Sequence, residues 1–434
     1  MKLPPRILAP MLLAFLCAGA LMVFLWWQLK ESTRLIRPTT FETSGLLGGP
    51  AAPVTDTISG DEDASLLHLR RGDILAQRGE WPEAQEEYEK SVEADGGLPA
   101  LRKLAQAQLQ RRDIKGVRGT LKKLKAEGAR AEDVLLLEII ILLRTGEIVD
   151  ARNILLGAED SPQKHYGLAL LGIIEGNHAA VTKELELTIG GWDPVLRSYA
   201  RTLQAAYVEF SLFPEGSPLH LTTLLARALA QVQECEIALP LLVQVTGAKD
   251  DYRDAWIVQG YCELTTERPD QALASLEHAY ALDPQKPEIQ YFLARAYAGL
   301  YEYDNAITFL EYALSNGFEP KNEVRRLIAK NALKVGKPEL ALKAYAEATT
   351  EPDATLETFE SAIGIAVSLK KTDDAVLQAK LAVQKWPDDP RSYDLFASAA
   401  MAAGKNEEAK KALEKALELN PRYMPAREKL EKMK

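Results

Sequence analysis

From residue 64 onward, apolar side chains return at helical spacing, in short runs that come in pairs and are divided by turn residues. Val195 to Phe213 shows the pattern: Leu196, Tyr199, Leu203, Ala206 and Phe210 lie three or four residues apart, on one face of a helix. Asp193-Pro194 ahead of it reads as a cap followed by a first-turn proline, and Pro214-Glu215-Gly216-Ser217-Pro218 stops it. Two earlier stretches depart from the pattern. Ile7 to Trp27 is 21 residues without a charge or strong polar group. At about 1.5 Å per residue such a helix is roughly 30 Å long, the thickness of a bilayer's hydrocarbon core. Pro38 to Gly60 is rich in Gly, Pro, Thr and Ser, shows no sustained period and reads as a linker.

The paired runs share a register. Counted from Arg253, a large side chain, Trp256, stands fourth, and Gly260 and Ala272 are small at positions eight and twenty. Leu276 and Ala279 follow at twenty-four and twenty-seven, and Pro284 at thirty-two ends the second run. The register returns at starts 219, 253, 287, 322, 356 and 390, and residue 424 opens a last helix. Position twenty reads Ala238, Ala272, Ala306, Ala341, Ala375 and Ala409. Weaker copies start at 65, 98, 132 and 162; the copy at 98 lacks the turn glycine that Gly79, Gly146 and Gly176 supply in the others.

This spacing resembles the tetratricopeptide repeat, a 34-residue pair of antiparallel helices. The resemblance implies an all-α fold: a right-handed α-solenoid of about ten helix hairpins, here preceded by one transmembrane helix. The expected organisation is a short tail at 1–6, the membrane span at 7–27 and a linker at 28–63. Divergent repeats then fill 64–189, a linking helix and period break 190–218, the regular array 219–423 and a capping helix 424–434. The break at 190–218 predicts either a change of path between two lobes or a degenerate repeat that stacks normally.

The N-terminal span has three readings. Trp26 and Trp27 suit an interfacial aromatic belt, which favours an uncleaved anchor. Ala18-Gly19-Ala20 has the small-x-small form of a cleavage site, but cutting there leaves Leu21 to Trp27 as an exposed apolar end. Cys17 as a lipid attachment point is disfavoured by Phe15 and Leu16 before it. The short basic tail with Lys2 and Arg6 favours an array outside the cytoplasm, although Lys30, Arg34 and Arg37 nearly balance it.

Composition narrows function chiefly by exclusion. The net charge is −10; without residues 1–63, which hold five basic and six acidic side chains, 47 basic face 56 acidic. A nucleic-acid partner wants a basic footprint, so none is expected. The five histidines form no ligand pair at i, i+4, there is no Cys-x-x-Cys, and no phosphate loop or nucleophile elbow is found. Neither a catalytic residue, a metal nor a cofactor is expected. Cys235 and Cys262 are read as buried thiols, with a bridge between their neighbouring helices as the alternative.

What remains is binding. The family resemblance implies that the first helix of each repeat faces a partner. Positions five and nine lie one turn apart on that helix and read Thr223 and Arg227, Ile257 and Tyr261, Tyr291 and Arg295, Arg326 and Lys330, Glu360 and Gly364, Asp394 and Ser398. Arg227, Tyr261, Tyr291, Arg295, Arg326 and Lys330 are therefore the candidate groove for an acidic or aromatic peptide segment, tyrosine and arginine being frequent anchors. The alternative is a randomly decorated solvent face. A carboxylate clamp known in the family wants two asparagines and an arginine where this chain has Lys330, Ser361 and Leu395, so none is expected. The reading is a membrane-anchored scaffold or adaptor. Its alternatives are an accessory factor for an envelope polymer or surface appendage, and an enzyme with its site in the groove. Self-association is allowed by either binding reading.

Overall fold

The computed structural model describes residues 64–213 and 215–433; the expected anchor at 7–27 and linker at 28–63 lie outside them. Twenty-two helices and no strand are found among the described residues, from Ala64–Gln77 to Met424–Lys432. No helix among the described residues is long and apolar enough to cross a membrane. The chain divides into two compact units between Ile237 and Ala238.

One turn geometry recurs ten times. Position fifteen has positive φ in every repeat: Gly79, Gly146, Gly176, Gly336 and Gly404 in five, and Arg112, Gln233, Glu267, Tyr301 and Lys370 in the rest. The N–H of the next residue then donates to the carbonyl five residues back, as in Asp113 to Gln108 at 2.8 Å and Lys371 to Ala366 at 2.8 Å. The missing turn glycine of the copy at 98 therefore did not remove the turn; Arg112 adopts the left-handed conformation at φ 57°. A side chain there costs roughly 1–2 kcal/mol. Lys370 is exposed, so Lys370→Gly should raise stability by about 0.5–1 kcal/mol after allowing for glycine's freer unfolded state. A higher urea midpoint with an unchanged slope is the expected reading.

The hairpins close on small residues. All six position-twenty alanines are fully buried. At the helix crossings, a Cβ on Gly72 would stand 2.5 Å from Tyr88 and one on Gly260 2.4 Å from Leu276, so the two helices approach as closely as glycine permits.

In the second unit, hairpins such as Arg253–Thr265 with Pro269–Leu282 and Pro287–Gly299 with Tyr303–Ser315 each touch the next in sequence. Buried aromatics strengthen the joints: Tyr291 stacks on Phe318 with centroids 4.3 Å apart at 11°. The C-terminal helix Met424–Lys432 covers the last hairpin with Ala426 fully buried. Its lysines are not all solvated decoration, because Lys429 donates to Asp394 and to Ser398 Oγ, both at 2.7 Å.

The first unit is less regular. Helix Ala131–Thr145 buries nine apolar side chains from Val134 to Leu143, covering it on all sides. At its end Arg144 holds Glu234 with two hydrogen bonds, at 2.8 and 3.1 Å, and donates to the carbonyls of Leu109 and Gln233 at 3.0 and 3.2 Å. Burial works against the Arg144 charge, and Glu234 outweighs it, holding the guanidinium above its usual range. Arg112 and Glu236 form a second pair at 3.2 Å beside it. The helix Pro194–Ser211, which has no evident partner in the sequence, packs against both His178–Gly190 and Pro218–Gln231. Asp193 caps it, accepting from the N–H groups of Val195 at 2.9 Å and Leu196 at 3.1 Å.

Candidate functional site: the first-helix face

The six candidate residues all stand on first helices, but the structure does not present them alike. Arg227 belongs to the first unit, on Pro218–Gln231, and its guanidinium is paired with Glu209 of the preceding helix. The other five belong to the second unit, on Arg253–Thr265, Pro287–Gly299 and Lys321–Lys334.

Tyr291 requires a correction. It is 1% exposed, so it offers no accessible ring to a partner. Its hydroxyl donates to Glu323 on the next first helix, and Arg295 bonds to the same oxygen. Burial, with the Glu323 charge, raises the phenol well above its ordinary range against the opposing pull of Arg295. Thr223, Ile257 and Asp394, at position five of their own repeats, are buried as well. Tyr291 thus points along the array at the following first helix. Asp394 shows the same geometry, meeting Lys429 and the Tyr423 hydroxyl on the capping segment.

Position nine is more open. Tyr261 is half-buried, with its ring edge-on to Phe292 at 5.5 Å. Arg295 is half-buried and anchored at Tyr291. Position five is not buried throughout: Arg326 stays half-exposed with Lys330, one turn on, exposed, and Glu360 is exposed as well. Among the described residues neither Arg326 nor Lys330 is held in an ion pair. The neighbouring Arg325 points elsewhere, paired with Glu347 and Glu351. The accessible set in the second unit is thus Tyr261, Arg295, Arg326 and Lys330, a half-buried aromatic and three cations. It can hold carboxylates against a partly apolar floor.

Cys235 and Cys262 are both buried and form no disulfide among the described residues. No group of three or more metal-ligating side chains is found among the described residues. Two buried carboxyls, Glu234 and Glu263, are raised by burial, but each is sealed in a core with its own partners, Arg144 for the first and Gln259 for the second. The Arg144 cluster escaped the sequence reading. Its only signal was a helix apolar on all sides that ends in an arginine.

Comparison with known proteins agrees with the repeat register. Models described as tetratricopeptide repeat match residues 223–287, 263–330 and 390–423. No curated protein sequence matches the chain significantly. Similar solved structures include YrrB, a TPR protein with an unusual peptide-binding site, at 19% identity over 43% of this chain and 96% of that one, with a TM-score of 0.35. TTC0263, a thermophilic TPR protein from Thermus thermophilus, is 20% identical over 48% and 100%, with a TM-score of 0.31. PilW, a widely conserved type IV pilus biogenesis factor, is 16% identical over 50% and 99%, with a TM-score of 0.36.

Proposed function

We propose, from a chain that carries tetratricopeptide repeats at 223–330 and 390–423, that its work is binding: it is a scaffold or adaptor whose first helices in the second unit hold an acidic segment of a protein partner. The observation that carries this reading is the pair Arg326 and Lys330, two cations one turn apart on Lys321–Lys334, neither held in an ion pair among the described residues. On a chain of net charge −10, two cations at such a place are an attractor for carboxylates. Arg295 and the half-buried Tyr261 on the preceding first helices extend the surface with the residue types that anchor interfaces.

The reading includes a tether. The uncharged stretch Ile7–Trp27 holds the chain in a membrane as an uncleaved span, with the repeats outside the cytoplasm. Full-length protein should then stay with membranes through alkaline carbonate extraction, while a chain lacking residues 1–63 should be released. Protease added to intact spheroplasts should digest the repeats; their full protection would reverse the orientation.

Arg326→Glu with Lys330→Glu tests the binding face. Both positions are surface-facing, so folding should survive, and helical content by circular dichroism checks this. Cross-linking in the native membrane followed by mass spectrometry should show at least a tenfold loss of the partner recovered by wild type. Undiminished recovery removes this face from the account.

A further inference from the structure

A cavity of about 470 Å³ opens on another side of the second unit, between the second helices Thr372–Lys385 and Asn406–Leu419. Its floor is aromatic: Tyr393 and Phe396, both half-buried, come from the intervening helix Pro390–Ala402. Its rim is cationic, with Lys380 on one wall and Lys411 and Lys415 on the other, against Glu408. Lys415 is shared with Glu418 at 2.8 Å, whereas Lys380 and Lys411 are exposed and make no ion pair among the described residues.

The same register three repeats earlier is closed. Residues 280, 309 and 312 stand 103 positions before 383, 412 and 415, on the corresponding second helices. There Tyr280 meets Phe309 edge-on at 5.5 Å, and Phe309 meets Tyr312 at 5.8 Å. Here Val383 and Ala412 replace that aromatic pair and leave the space open. The cations Lys380 and Lys411 replace Glu277 and Thr308. Loss of the filling side chains thus coincides with a change of the rim from acidic and neutral to basic.

We infer that this groove is a second binding site, which takes an extended peptide segment carrying one large apolar side chain flanked by carboxylates. The apolar group enters between Val383 and Ala412 onto Tyr393 and Phe396, and the carboxylates meet Lys380 and Lys411. Dimensions agree. Glu408 to Lys415 spans two helical turns, about 10 Å at 1.5 Å per residue, which three or four extended residues cover at about 3.3 Å each. The cavity also lies within the usual size of small-ligand sites, roughly 300–1,000 Å³.

The probe is fluorescein-labelled Asp-Glu-Phe-Asp-Glu, titrated with the full-length chain and read by fluorescence anisotropy. It should bind at least tenfold tighter than Asp-Glu-Gly-Asp-Glu or Lys-Lys-Phe-Lys-Lys. Val383→Tyr with Ala412→Phe copies the closed groove and should weaken binding tenfold or more. Because Ala412 is buried and this variant is exposed to misfolding, Lys380→Glu with Lys411→Thr copies the closed rim at exposed positions and should do the same. Repeated on Arg326→Glu with Lys330→Glu, which takes the first-helix face away as a competing taker of acidic peptide, the titration should still show the tenfold preference for the phenylalanine peptide. Loss of binding in that variant alone would move the peptide to the first-helix face and overturn this inference without touching the other reading. Equal affinity for the glycine peptide would also overturn it, as would tighter capture of decanoate than of the phenylalanine peptide.

Discussion

Arg144→Met should cost about 3–5 kcal/mol of stability, the range for removing one member of a buried ion pair. The side chains of Arg144 and Glu234 are 4% and 3% exposed, so water cannot replace the lost guanidinium. The substitution strands the Glu234 carboxylate and leaves the carbonyls of Leu109 and Gln233 short of a donor. The double variant Arg144→Met, Glu234→Leu removes both charges and should recover most of the loss, because a desolvated pair and a well-packed apolar pair are close in energy. Denaturant unfolding of the two variants checks this; a double variant as weak as the single would show that the carbonyl contacts matter more than the charge. A pH dependence follows. Burial already raises Glu234 above its usual 4.5, and without Arg144 only the weaker attraction of Arg112 opposes it. A carboxyl raised in the folded state binds more protons folded than unfolded. Its stabilising contribution is therefore full below the unfolded value and lost as pH rises through the folded one. The deficit of Arg144→Met should be smaller at pH 5 than at pH 8.

Leu276→Ala should cost about 2–5 kcal/mol, as for a fully buried leucine whose site cannot collapse. Gly260→Ala should cost about 1–3 kcal/mol for the opposite reason, since the new methyl would sit 2.4 Å from Leu276 Cγ. Together the two losses should fall short of their sum by about 1 kcal/mol or more, because the methyl of one occupies space vacated by the other. Thermal or urea unfolding of the four proteins in the cycle measures the coupling. Strict additivity would mean that the two helices adjust independently, contrary to the close crossing at Gly260.

These two sites differ in how far they could be read ahead. The Gly260–Leu276 contact is local: the residues are sixteen apart, in one hairpin, and the 34-residue register places them together. Stacked hairpins reward the same small residue at each crossing, so the alanines at position twenty announce their own burial. The turn was legible where glycine marks it, at Gly79, Gly146 and Gly176, but not at the five non-glycine residues that adopt the same left-handed conformation.

The first-helix face was legible only in part. Tyr291 and Arg326 occupy the same position of successive repeats, and one is buried while the other is half-exposed. Repeat spacing gives the direction of a side chain; what covers it depends on the following first helix, here Glu323 under Tyr291. The groove at Tyr393 and Phe396 was hidden likewise, since it forms only where the walls carrying Val383 and Ala412 are set side by side.

The sequence by itself determined that this chain is all helix over its described length, where its hairpins turn and which small residues let them close, because those features depend on neighbours within some forty residues. Only the tertiary structure decided that Arg144 meets Glu234 across ninety residues, that Tyr291 is sealed away, and that the groove at Val383 stands open. Each of these depends on surfaces brought together by stacking, and a register fixes spacing along the chain but not the surroundings that later helices impose.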